Sequence, residues 1–179
     1  MLADKYLRDE LNKFAKYVIQ QSRSNLSKGG KNISSKLYNS INSEVLKEDN
    51  YSLINFSMED YGAYQDLGVK GKSSSSKAPN SPFKFGSGKG RKGGLTDGID
   101  KWVRNRGIQF RDKETGKFLS YQSTAFIITR SIYQTGIRPS LFFTKPFEVA
   151  KNRYLGKELI KAFKADIDTL ISYKLENRK

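Results

Sequence analysis

Catalysis by this chain would have to come from carboxylates, lysine, tyrosine or serine, because its 179 residues include no cysteine and no histidine. Thiol nucleophiles, disulfides, Cys/His zinc sites and imidazole bases are excluded on composition alone. The acidic residues that remain as candidates, Asp60, Asp66, Asp97, Asp100, Glu148 and Asp166, are scattered along the chain. None forms the paired-carboxylate spacing of a metal-assisted hydrolase, although folding can gather distant residues. The expectation is a non-enzyme with no catalytic residue, no cofactor and no metal site. A metal-dependent nuclease is the catalytic alternative.

Two glycine patterns invite a phosphate-binding reading and fail it. Gly88-Lys89-Gly90-Arg91-Lys92-Gly93 has the bare spacing of a dinucleotide fingerprint. However, no strand precedes it, and the fingerprint requires one. Gly68-Val69-Lys70-Gly71-Lys72-Ser73 matches the end of a phosphate loop, but Asp66 stands where its first glycine belongs.

Positive charge is the stronger signal. Thirty-three Lys and Arg face eighteen Asp and Glu, a formal charge of +15 that favours polyanions. No acidic residue occurs from Leu67 to Thr96. Lys70, Lys72, Lys77, Lys84, Lys89, Arg91 and Lys92 therefore stand unopposed in a Gly/Ser-rich stretch, as a DNA- or partner-facing set. Such residues add affinity for phosphate without reading sequence. The same composition also describes a solvated linker.

The elements around this stretch follow from apolar spacing. Leu7, Leu11, Phe14, Ala15, Val18 and Ile19 predict a helix over 2–24 that stops at Asn25 to Gly30. A short helical turn is expected over 33–40. Strands over 41–47 and 51–58 follow, with Ile54, Phe56 and Met58 on one face and a turn at Glu48-Asp49-Asn50. Tyr61 to Leu67 reads as a helical turn behind Asp60 as N-cap, ended by Gly68 as a left-handed cap. Residues 69–95 read as a flexible basic Gly/Ser/Lys loop, pinned at most by Phe83 and Phe85. Thr96 is expected to cap a helix over 97–106 that carries Ile99, Trp102 and Val103. A small hairpin over 108–120 and a helix over 121–134 complete a structured insertion, 96–135. Ala125, Phe126, Ile127 and Ile128 make that helix apolar nearly all round, which predicts burial on more than one side or an interface. Pro139 and Pro146 bracket a Phe-rich connector. A last helix over 147–174 carries Leu159, Ile160, Phe163, Ile167, Leu170 and Ile171 at helical period.

The fold class predicted is α+β: N- and C-terminal helices packed on a small antiparallel sheet, with a long basic loop and a helical/hairpin insertion. The length suits a single domain over 1–179. No run approaches a membrane span, and the N-terminus lacks the continuous apolar region of a signal peptide. A cytoplasmic protein, or a particle assembled there, is expected, with no membrane partner.

The order of these elements, with Tyr61-x-x-Tyr64-x-Asp66-Leu67-Gly68 before the insertion and Arg138-Pro139-Ser140-Leu141-Phe142-Phe143 and Lys145-Pro146-Phe147 after it, resembles the head–tail joining and tail-completion (neck) proteins of tailed bacteriophages. That family carries a Tyr-x-x-Tyr-Val-Glu-Phe-Gly-Thr-like signature after its hairpin and a Pro-Phe-Leu-x-Pro-Ala-like segment before its last helix. Here Asp66, Leu67 and Val69 replace the usual Glu, Phe and Thr, and residues 69–135 fall outside the likeness. The resemblance implies a structural virion protein, assembled in the host cytoplasm. It would form a homo-oligomeric ring, usually a hexamer, between portal-side connector and tail proteins, with packaged DNA passing through. Tyr61, Tyr64, Leu67, Arg138, Phe142, Phe143 and Phe147 would serve subunit interface or core. The alternative is a non-specific nucleic-acid-binding accessory protein.

Overall fold

The structure, a computed structural model, describes residues 5–29, 35–47, 51–88 and 94–176, with side chains as far as Tyr173. Among the described residues are seven helices and two two-stranded antiparallel sheets, a small α+β fold. The chain divides into two compact units where the sequence alone reads as a single domain. One unit comprises 1–62 and 141–179, the other 63–140.

The first unit opens with helix α1 (Lys5–Lys28). Its buried residues, Leu11, Phe14, Ala15, Val18, Ser22 and Leu26, follow the helical period on one face. The helix runs four residues beyond the expected stop at Ser24, because Leu26 is taken into the core. Helix α2 (Lys36–Ser40) leads into strands β1 (Asn42–Lys47) and β2 (Ser52–Ser57), which pair from Asn42 with Ser57 to Lys47 with Ser52. The expected Glu48-Asp49-Asn50 turn lies outside the described residues. Arg23 ties α1 to this region. Its guanidinium donates to the carbonyls of Tyr38 (3.1 Å) and Ile41 (2.9 Å) and lies over the Tyr38 ring.

Two apolar clusters form the core of this unit. Leu26, Leu37, Ile41 and Phe142 make one, with Met58 against it. Phe14, Val18 and Ala150 make the other, with Ile54, Phe56 and Phe147 against it. Phe143 packs on both. Edge-to-face aromatic pairs fix the second cluster: Phe14 with Phe147 at 5.5 Å and Phe56 with Phe143 at 5.4 Å. The alternation Ile54–Phe56–Met58 thus works as the sequence predicts. Phe142, Phe143 and Phe147 are core residues.

The expected long C-terminal helix is two helices, α6 (Thr144–Tyr154) and α7 (Lys157–Glu176), separated at Leu155-Gly156. Pro146 sits in the first turn of α6, where its missing N–H costs nothing. Helix α6 packs on α1 and brings Phe147 and Ala150 to the hairpin cluster. Helix α7 takes α1 as its main partner, not the sheet. Asp166, 2 % exposed, accepts from the backbone N–H groups of Tyr6 (3.1 Å) and Leu7 (2.8 Å). A carboxylate 160 residues away thereby satisfies two orphan donors at the α1 N-terminus, at the positive end of its dipole. Of the periodic α7 residues in the helix expected to pack on the sheet, Leu159 is half-buried, whereas Ile160, Phe163, Ile167, Leu170 and Ile171 are exposed.

The second unit contains most of helix α3 (Tyr61–Leu67), strand β3 (Val69–Lys70), helices α4 (Gly94–Arg106) and α5 (Tyr121–Thr135), and strand β4 (Gly136–Ile137). The α3 bounds match the sequence expectation. Helix α4 starts two residues before Thr96, which therefore lies inside the helix and is not its cap. The small hairpin forms through the Arg111–Phe118 bridge, with Asp112 N–H donating to Lys117 and Leu119 N–H to Phe110. Ser120 caps α5, its hydroxyl accepting from Ser123 N–H at 3.0 Å. Helices α4 and α5 pack together, burying Val103 and Ala125.

The packing separates side chains of equal hydrophobicity. Phe142→Ala should cost about 3–5 kcal/mol, as for a fully buried aromatic. Phe126→Ala, at a residue 61 % exposed on α5, should fall within about 0.5 kcal/mol of the parent. Chemical denaturation of the two variants measures the difference.

Candidate functional site

The two segments that flank the insertion meet each other. Strands β3 and β4 pair antiparallel, Val69 with Ile137 and Lys70 with Gly136. Just outside this ribbon, the N–H and hydroxyl of Ser140 both donate to the Gln65 carbonyl, at 3.2 and 2.6 Å. Glycine makes the approach possible. Gly68 and Gly136 have φ of 72° and 87°, which disfavours any side chain. A Cβ on Gly68 would meet the Ile137 carbonyl, one on Gly136 the Val69 carbonyl, and one on Gly71 the backbone at Gln134.

The Gly/Ser/Lys stretch, expected to be flexible, is ordered over 69–88. Its order comes from backbone hydrogen bonds, with little help from apolar burial. Lys70 N–H donates to Phe83, and Phe85 N–H to Lys70, both at 2.9 Å. Lys72 N–H donates to the Tyr133 carbonyl (2.9 Å) and Ser73 N–H to Gln134 (3.2 Å). These acceptors are terminal carbonyls of α5, which have no partner within the helix. Ser81, buried, donates its hydroxyl to the Gly68 carbonyl at 2.7 Å and accepts from Phe83 N–H. Ala78 is buried beside it in the chain. Phe83 and Phe85 pin the segment as expected, Phe83 edge-on to Tyr64 at 4.5 Å and Phe85 against Tyr133 at 5.6 Å.

This framework sets how the basic residues are displayed. Lys72 and Lys84 are exposed, with the Lys72 ammonium 6.0 Å from the centre of the Tyr133 ring. Lys70 and Lys77 are half-buried, and Lys77 donates to the Thr135 hydroxyl at 2.7 Å. Among the described residues no carboxylate pairs with any of these four lysines. Lys89, Arg91 and Lys92 lie outside the described residues. From Ala63 to Ser140 there are fifteen Lys and Arg against five Asp and Glu, so this unit carries +10 of the chain's +15. Sequence reasoning missed Arg111 and Arg130 and took Arg138 only as an interface or core residue; all three are exposed on the same unit. The Arg111 guanidinium stacks 4.5 Å over the exposed Phe118 ring. The signal available for it was the alternation of basic and aromatic residues in Phe110-Arg111 and Lys117-Phe118.

The remaining predicted residues separate. Tyr61 and Tyr64 are each more than 40 % exposed, Leu67 is half-buried and Arg138 is exposed. Burial raises the Tyr61 phenol above its ordinary value, and nearby Glu59 adds to the shift. The scattered carboxylates have separate structural tasks. Asp166 caps α1, Asp100 pairs with Arg104 at 2.8 Å, and Asp66 is buried within its own unit. Among the described residues no three acidic groups gather to hold a metal ion, and no helix is long and apolar enough to cross a membrane.

No protein-family model, curated protein or solved structure matches the chain.

Two outcomes follow from this geometry. Gly136→Ala should destabilise the second unit by about 2–4 kcal/mol, combining left-handed strain with a backbone clash. Gly88→Ala, with φ of 77° but open space around it, should cost only the roughly 1–2 kcal/mol of strain. Thermal unfolding compares them. In the hairpin, hydrogen bonds from the Thr115 backbone and hydroxyl hold the Asp112 carboxyl below its ordinary pKa. This support is fully present above the ordinary carboxyl value and is lost as pH falls through the depressed one. The Thr115 amide resonance should therefore titrate below the ordinary carboxyl range, and Asp112→Asn should abolish that titration.

Proposed function

We propose that this chain is a structural virion protein of the neck or tail-completion type, forming a homo-oligomeric ring between portal-side connector and tail proteins of a tailed bacteriophage. The basic unit would face the DNA that passes through. The observation that carries this reading is the β3–β4 closure. The segment ending at Gly68 and the segment starting at Gly136, which bear the family-like signatures, are hydrogen-bonded neighbours although 67 residues separate them in sequence. The insertion is thus closed at its base, and the elements on either side keep the order expected of a neck subunit. The +10 unit adds support, since a DNA channel needs tolerance for phosphate without base recognition.

A second reading, a non-specific nucleic-acid-binding accessory protein, draws on the same concentration of charge. Particle composition separates the two. The neck reading expects the chain in purified virions at a fixed low copy number, and as rings by negative-stain microscopy. Tight DNA binding by a chain absent from particles would favour the accessory reading.

Under either reading, duplex DNA should bind without sequence preference, with an affinity that falls steeply as salt rises. The triple variant Lys72→Glu/Lys84→Glu/Arg130→Glu should flatten the log–log salt dependence by about 0.9 for each phosphate contact removed. An unchanged slope in a filter-binding titration would show that this surface does not meet DNA.

A further inference from the structure

The ordered part of the basic stretch adds a third strand to the β3–β4 ribbon. Lys70 pairs with Gly136 on one side and, through a parallel bridge, with Lys84 on the other. Its N–H donates to Phe83 and its carbonyl accepts from Phe85, which fixes that register. Side chains alternate between the two faces of an extended strand. The pair Val69 and Ile137 therefore lies on one face, while Lys70 and Lys84 stand side by side on the other. Lys72 continues this face, and Gly86 comes beside it. A Cβ built on Gly86 would lie 3.6 Å from Lys72 Cγ and 3.1 Å from the Tyr133 hydroxyl. Glycine, with φ of 78°, leaves a notch there. The pairing of Lys70 with Lys84 is unfavourable in the chain by itself, because like charges set opposite each other across a ladder repel. Lys70 is half-buried, and among the described residues no carboxylate pairs with either lysine.

We propose that Lys70, Lys72, Lys84, Gly86 and Tyr133 form a seat for two neighbouring phosphodiester groups on one strand of DNA. One phosphate bridges the Lys70 and Lys84 ammonium groups and turns their repulsion into attraction. The next rests in the notch at Gly86, where the Lys72 ammonium and the Tyr133 hydroxyl supply donors. The two positions are two residues apart along the strands, roughly 7 Å, a distance that adjacent phosphates of one strand can span. Contacts of this kind hold the backbone and carry no sequence information. The seat rests on the reading that the basic unit faces DNA, and it specifies where in that unit the backbone is held.

The test sets position against charge. Lys70→Gln/Lys84→Gln and Lys113→Gln/Lys117→Gln each remove two positive charges from the same unit, the second pair from exposed positions on the small hairpin. In a filter-binding titration with a mixed-sequence duplex, the first variant should lose about tenfold in affinity and flatten the log–log salt dependence by about 0.9, and the second should lose less than about twofold. Gly86→Ala fills the notch and should weaken binding, whereas Gly88→Ala carries a similar left-handed φ into open space and should not. Stability gives a readout without DNA. Lys70→Gln/Lys84→Gln should raise the melting temperature at low salt by removing the repulsion. Millimolar inorganic pyrophosphate should raise it for the parent and not for this variant, against sodium chloride of equal ionic strength. Equal losses of DNA affinity from the two charge-matched pairs, or equal effects of Gly86→Ala and Gly88→Ala, would overturn the seat and leave a DNA-facing unit in place. A chain that answers to pyrophosphate through these lysines yet binds no DNA would overturn the DNA-facing reading and the assignment of this ligand together.

Discussion

The close passage of two backbones at Gly68, Gly71 and Gly136 is the constraint on which the second unit depends. Two residues of ladder, Val69-Lys70 against Gly136-Ile137, bring together the ends of a 65-residue excursion. A ribbon so short contributes few hydrogen bonds of its own. It works because each neighbouring polar group is satisfied locally: Ser140 on Gln65, Ser81 on Gly68, and the N–H groups of Lys72 and Ser73 on the last carbonyls of α5. Closing a long loop costs entropy that grows only slowly with its length. Once the ends are joined, a segment poor in apolar side chains can therefore be ordered by backbone bonding.

The first unit is organised around aromatic packing and one long-range cap. Phe143 touches both apolar clusters, so the hairpin, α1, α2 and α6 are packed around shared atoms. Leu141, in the left-handed region with φ of 52°, precedes Phe142, which is 1 % exposed. Local backbone strain of this kind persists only where surrounding packing over-determines it. Asp166 sets the rotation of α7 because its side chain accepts from the Tyr6 and Leu7 N–H groups at the α1 N-terminus. That placement, more than hydrophobicity, decides which side of α7 meets α1 and which is left exposed.

Much of this was legible in the residues. The hairpin alternation of Ile54 and Phe56, the bounds of α3, the left-handed cap at Gly68 and the small hairpin around Arg111 and Phe118 all follow from local rules of period, capping and turn chemistry. The candidate site was legible only in part. A run of serine, glycine and lysine contains no apolar pattern, so 69–88 read as a free arm. Its order resides in N–H and C=O groups common to every sequence, satisfied in part by a helix end 61 residues later. The C-terminal stripe failed for the opposite reason. Its period was read correctly, but periodicity shows that a helix has an apolar face and is silent about what covers it.

The sequence by itself determined the α+β class, the positions of the β1–β2 hairpin and of most helices, the absence of thiol and imidazole chemistry, and a strongly positive charge. These depend on composition and on neighbours within a few turns along the chain. The tertiary structure alone decided that the signature segments pair, that the charge concentrates on one of two units, and that α7 turns its stripe outward. Each of these depends on groups dozens of residues apart meeting at hydrogen-bonding distance, and a one-dimensional pattern carries no measure of that separation.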